Sequence, residues 1–123
     1  MVSMIRGSNF VAVAMLTAAG LLPAHAGPKN KFDGNWSVEV ITRHGKCDMY
    51  KWRIVVGGGK ITDLQGNLAQ ATGGISARGR VAVVLTRGSD SLSATGSLST
   101  QSGSGSWVSK SKGCSGEWRA ERL

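Results

Sequence analysis

The chain has 123 residues, carries a formal net charge of +8, and is 18 % charged and 6 % aromatic, with 18 Gly, 4 Trp and 2 Cys. That length fits one domain. The basic excess favours anionic partners such as acidic glycans, lipid headgroups or acidic protein patches, and two Cys without paired His make a poor metal centre.

The first 26 residues read as a secretory signal peptide. Phe10 to Leu22 is an almost unbroken apolar run, Pro23 ends any helix there, and Ala24-His25-Ala26 fits the small-x-small cleavage pattern. Thirteen residues reach only about 20 Å as a helix, short of the ~30 Å hydrocarbon core, so a membrane anchor is disfavoured. No later segment is long and apolar enough to span as a helix. Arg6 is the only basic residue lost with the leader, so Gly27 to Leu123 keeps a net charge of +7. An exported product follows, periplasmic in a bacterium or extracellular, and nucleic acid is no partner for it.

Gly27 to Asp33 reads as a flexible basic lead, and residues 34–123 as the folded domain. Asn35 to Arg43 alternates like a strand, with Trp36, Val38 and Val40 on one face. Cys47 to Val56 is a second strand, with Tyr50, Trp52, Ile54 and Val56 inward and Lys51 and Arg53 outward. Gly57-Gly58-Gly59 turns the chain into a short strand at Lys60 to Leu64. Leu68 to Ala77 is a weaker strand with a bulge or kink expected at Gly73-Gly74. Val81 to Thr86 follows, with Val81, Val83 and Leu85 sharing a face. Ser89 to Ser106 is rich in Ser, Gly and Thr, as linkers are. Leu92, Ala94, Gly96 and Leu98 nevertheless hold a period of two, which a linker has no reason to keep. Gly103 to Ser109 and Cys114 to Arg122 complete the set, and no stretch shows sustained helical periodicity.

About eight antiparallel strands joined by short turns predict an all-β domain. Such a sheet must close into an up-and-down barrel or split into a sandwich to hide its edges. An eight-stranded barrel is filled by its own side chains or holds one small ligand. Three Gly-x-Trp triplets punctuate it, at Trp36, Trp107 and Trp118. Glycine two positions before an indole lies on the same strand face and is expected to leave room for that ring. With Tyr50 and Trp52, these Trp form the predicted core or ligand lining.

Export makes Cys47 and Cys114 a predicted disulfide. In a closed meander both lie near one rim, on strands flanking the first. Those strands are about 9–10 Å apart, so the bridge requires adjoining loops to lean together. The bridge would close a long loop, worth about 4 kcal/mol in the chain-entropy model. The same rim gathers Arg43, His44, Lys46, Arg87, Lys110 and Lys112, with Asp48 and Asp90 the nearby acids. Arg43, Lys46, Arg87, Lys110 and Lys112 are the candidate anion-binding rim; the competing reading is that turns take Lys and Arg for solubility.

Gly34-Asn35-Trp36 on the first strand, a meander, and Arg119 or Arg122 on the last resemble the calycin barrels, the lipocalins and avidins. That resemblance implies a small barrel with a ligand in its mouth. In size, export and single disulfide the chain is also similar to small periplasmic β-barrel protease inhibitors of Gram-negative bacteria, which implies a protease engaged by the N-terminal segment.

Catalytic chemistry is not legible. His44 and Asp48 make a weak pair on a turn. No zinc spacing, nucleophile elbow or phosphate loop occurs. Asn35-Trp36-Ser37 is a glycosylation sequon only in a eukaryotic host. The sequence therefore points to a non-enzymatic binding module without cofactor or metal. Its expected ligand is a small apolar molecule in the barrel mouth or an anionic envelope surface at the rim; the alternative is an envelope protease inhibitor or structural interaction protein.

Overall fold

The computed structural model describes residues 30–66 and 68–123. The leader predicted for residues 1–26 lies outside the described residues. Eight strands follow one another: β1 (Gly34–His44), β2 (Tyr50–Gly57), β3 (Lys60–Leu64), β4 (Gln70–Ile75), β5 (Arg80–Arg87), β6 (Asp90–Leu98), β7 (Ser102–Ser109) and β8 (Cys114–Arg122). No helix is found among the described residues.

The strands form one antiparallel sheet in the order β3-β2-β1-β8-β7-β6-β5-β4. The chain is thus a meander whose first and last strands pair. β1 and β8 are in register from Trp36 opposite Arg122 to Thr42 opposite Gly116, with a bulge between Thr42 and His44. The sheet curls into a nearly closed barrel, which decides against the sandwich. Its one unzipped junction is between β3 and β4, the two sheet edges, not at the junction of the chain ends. There the Ile75 N–H donates to Gly59 O at 2.6 Å, and the amide of Asn30 donates to Ile75 O at 3.0 Å. An exposed edge costs unpaired backbone groups, and these bonds satisfy some of them.

Period-two alternation builds the interior. Val81, Val83 and Leu85 of β5 are buried, while Ala82 and Val84 between them face solvent. β6 places Leu92 and Ala94 inside and Ser93 and Thr95 outside. The Ser/Gly-rich region is therefore strand, because small residues on both faces still allow ladder pairing on β5 and β7. Gly73 kinks β4 without adding a residue: its φ is +85° and its register with β5 is unbroken.

Residues 30–33, expected to belong to the flexible lead of 27–33, are a docked turn. Phe32 is 1 % exposed and belongs to the core. The Asp33 carboxylate accepts the N–H groups of Gly58 at 2.9 Å, Gly59 at 3.0 Å and Asn30 at 3.2 Å. Gly79, with φ +88°, is where Phe32 fits, since an added Cβ would meet the tip of its ring at 2.9 Å. This turn plugs one end of the barrel. It shares that end with the β2–β3, β4–β5 and β6–β7 connections, by the alternation of a meander. The other end carries the β1–β2, β3–β4, β5–β6 and β7–β8 connections and the disulfide.

Candidate functional site

Each indole was expected to sit beside the glycine of its own triplet. The structure places the glycines against other strands. An added Cβ on Gly105 would meet Trp118 Nε1 at 2.6 Å, and one on Gly96 would meet the same ring. Gly105 lies directly opposite Trp118, and Gly96 opposite Gly105. Trp118 thus lies across two glycines and donates to Thr95 O of β6 at 3.0 Å. Trp107 faces Gly116 and donates to Ile41 O of β1 at 3.0 Å and Glu117 O at 3.1 Å. Gly34 makes room for Arg122, whose Nη1 would be 2.9 Å from an added Cβ.

Trp36 is fully buried and donates to Phe32 O at 2.8 Å. The Arg122 guanidinium lies 4.6 Å from its ring centroid, close enough for a cation–π contact. It also donates to Asp33 O and Lys31 O at 2.9 Å each, and to Thr100 O at 2.6 Å. Of the two late arginines, Arg122 is therefore the one on Trp36, while Arg119 points outward and is exposed. Burial raises the Asp33 carboxyl, but the amides of Gly59, Gly58 and Asn30 and the charge of Arg122 outweigh it and hold it below its ordinary value.

Trp52 differs from the other three. It is half-buried on β2, its ring lies 5.7 Å from that of Tyr50, and its N–H finds no acceptor among the described residues. Both rings face the end of the barrel opposite the plug. That end opens into a cavity of about 890 Å³. Its apolar wall includes Val40, Tyr50, Trp52, Leu85, Leu92 and Trp107. Below it lies a wholly apolar void of about 70 Å³ that reaches Trp36 and Trp118. Val40, Trp52, Leu85, Leu92 and Trp107 border both spaces. The lumen is filled at the plugged end and open at the other.

The rim residues divide. Lys46, Arg87 and Lys112 border the mouth together with Asp48 and Asp90. Lys112 lies 3.8 Å from Asp90. Arg43 instead lies 3.4 Å from Glu117, with both side chains about half exposed. Glu117 is on the outer face of β8 and Arg43 sits in the bulge of β1, so this pair is outside the mouth. Lys110 is exposed in the β7–β8 turn and does not border the cavity. His44 is exposed at the end of β1.

Cys47 and Cys114 are bonded, with Cα atoms 6.2 Å apart. The β1–β2 loop leans over β1 to reach β8, which draws Lys46 and Asp48 to the mouth. Leu85 and Leu92, opposite each other across the β5–β6 ladder, were not singled out as ligand-lining. Alternation marks both as inward, and the nearby turn at Arg87–Asp90 marks their depth. What hid them was the weight given to aromatic residues.

Among the described residues no group of three or more His, Cys, Asp or Glu is placed to hold a metal ion, and no helix is long and apolar enough to cross a membrane. No protein-family model, curated protein or solved structure matches the chain.

Proposed function

We propose that the protein is an exported, non-enzymatic carrier or sensor that takes a small apolar molecule into its open end. The carrying observation is the mouth of about 890 Å³, with the Tyr50–Trp52 pair in its wall. That volume falls in the range of small-molecule pockets, with apolar residues in its depth and charged ones at its rim. Among the described residues the Trp52 indole N–H has no acceptor, whereas the other three indoles are spent on backbone carbonyls. The disulfide and the leader pattern support export, since such bonds persist in oxidising compartments. An inhibitor acting through Gly27 to Phe32 is the weaker reading, because the last of those side chains is in the core.

Titration with N-phenyl-1-naphthylamine, a neutral apolar fluorophore, tests this. Saturable energy transfer from tryptophan is expected. Tyr50→Ala should weaken binding about tenfold, the scale of losing part of one aromatic contact, with Tm unchanged because Tyr50 is 42 % exposed. Absence of saturable binding overturns the proposal.

A further inference from the structure

We infer that the natural ligand is an amphipathic anion: a linear alkyl chain ending in an anionic headgroup, held tail-in and head-out. This rests on the reading of the mouth as a ligand site and adds the ligand's chemistry. The void below the mouth is about 70 Å³ and lined by apolar residues alone. An engineered apolar cavity of about 150 Å³ holds benzene, so the smaller void suits the end of an alkyl chain better than a ring. No polar side chain lines it, so a headgroup placed there would lose its hydration without compensation. The headgroup must stay at the mouth.

The mouth has a sign. Lys46, Lys51, Arg87 and Lys112 border it against Asp48 and Asp90. Lys112 and Asp90 answer each other at 3.8 Å. Lys46 and Arg87 lie within ion-pair distance of no carboxylate among the described residues. They come from opposite walls, the β1–β2 loop held by the disulfide and the end of β5. Asp48 is the one unanswered acid, so the net field remains positive. A cleft with low-dielectric walls and one prevailing sign concentrates the opposite charge. It therefore favours an anionic head and disfavours an ammonium of equal length.

Three ten-carbon probes below their aggregation concentrations separate the possibilities: decanoate, decanol and decylammonium, followed by tryptophan emission and calorimetry. Decanoate is expected to bind about tenfold more tightly than decanol at low salt, and decylammonium more weakly than either. The preference should shrink as salt rises. The double substitution Lys46→Ala and Arg87→Ala should shrink the ratio of decanoate to decanol affinity measured on that same variant, and an unchanged ratio overturns the inference. Equal binding of decanoate and decanol, or a preference for decylammonium, overturns this inference and leaves the apolar site standing. If none of the three binds, the site itself is wrong. Anionic headgroups are also available on a membrane, so vesicles of phosphatidylglycerol and phosphatidylcholine form the last arm. Salt-sensitive sedimentation with vesicles, without decanoate binding, would mean a surface contact and overturn tail-in binding.

Discussion

At the scale of single residues, the tryptophans and glycines form one device spread over several strands. A strand alternates its side chains, so Gly-x-Trp places both on one face. Neighbouring strands place a different glycine beside each ring, and the indole then reaches a backbone carbonyl two strands away, as Trp118 of β8 reaches Thr95 of β6. A methyl at Gly105 would press on both Trp118 Nε1 and the β6 backbone. Gly105→Ala is therefore expected to cost about 1–3 kcal/mol, the range for overpacking a tight site, in urea unfolding monitored by tryptophan emission. An unchanged midpoint would mean that the strands part without cost. The identity of these residues was legible in the sequence, but their partners were not, because cross-strand register depends on every turn between them.

At the scale of elements, the turn of residues 30–33 is the piece that sequence reading placed least well. Lys29, Asn30 and Lys31 look like solvated lead, and nothing local marks Phe32 as core. What fixes the turn is distant: Gly58 and Gly59 bind Asp33, and Arg122 binds Asp33 O and Lys31 O. Because Asp33 titrates below its ordinary value when folded, its stabilising contribution is complete above the unfolded value of about 3.9. It is lost as pH falls through the lower folded value. Asp33→Asn should thus lower Tm at neutral pH, and the gap to the parent should close as pH drops below about 4. A gap that stays constant with pH would show that the carboxylate's charge is not what holds the turn. The strands fared better. Even β6, Asp90–Leu98, was readable, because its alternation survives a composition typical of linkers.

At the scale of the whole molecule, three things keep a small barrel shut. The first is the β1–β8 ladder, the second the turn that bridges β3 and β4, and the third the disulfide across the rim. Cys47 and Cys114 are 67 residues apart, so the bond removes about 4 kcal/mol of unfolded-chain entropy on the loop-closure model. For a chain of this size that is comparable to its whole net stability. Replacing both Cys with Ser should lower Tm sharply and loosen the β1–β2 loop, with faster amide exchange at residues 45–49 as the check. If exchange there is unchanged, the loop is held by contacts other than the bond.

The sequence by itself determined the all-β meander, the strand faces, the paired cysteines and the rim at which they meet. Periodicity and turn chemistry are local, and the parity of a meander carries them to the ends of the barrel. Only the tertiary structure decided that one end is plugged by Phe32 and the other open. It alone sorted the rim, turning Arg43 outward to Glu117 and Lys46 and Arg87 toward the cavity. It also left Trp52 as the indole without a backbone partner among the described residues. Each of these depends on how strands far apart in the chain are staggered against one another, and that stagger is set by the packing of the whole core.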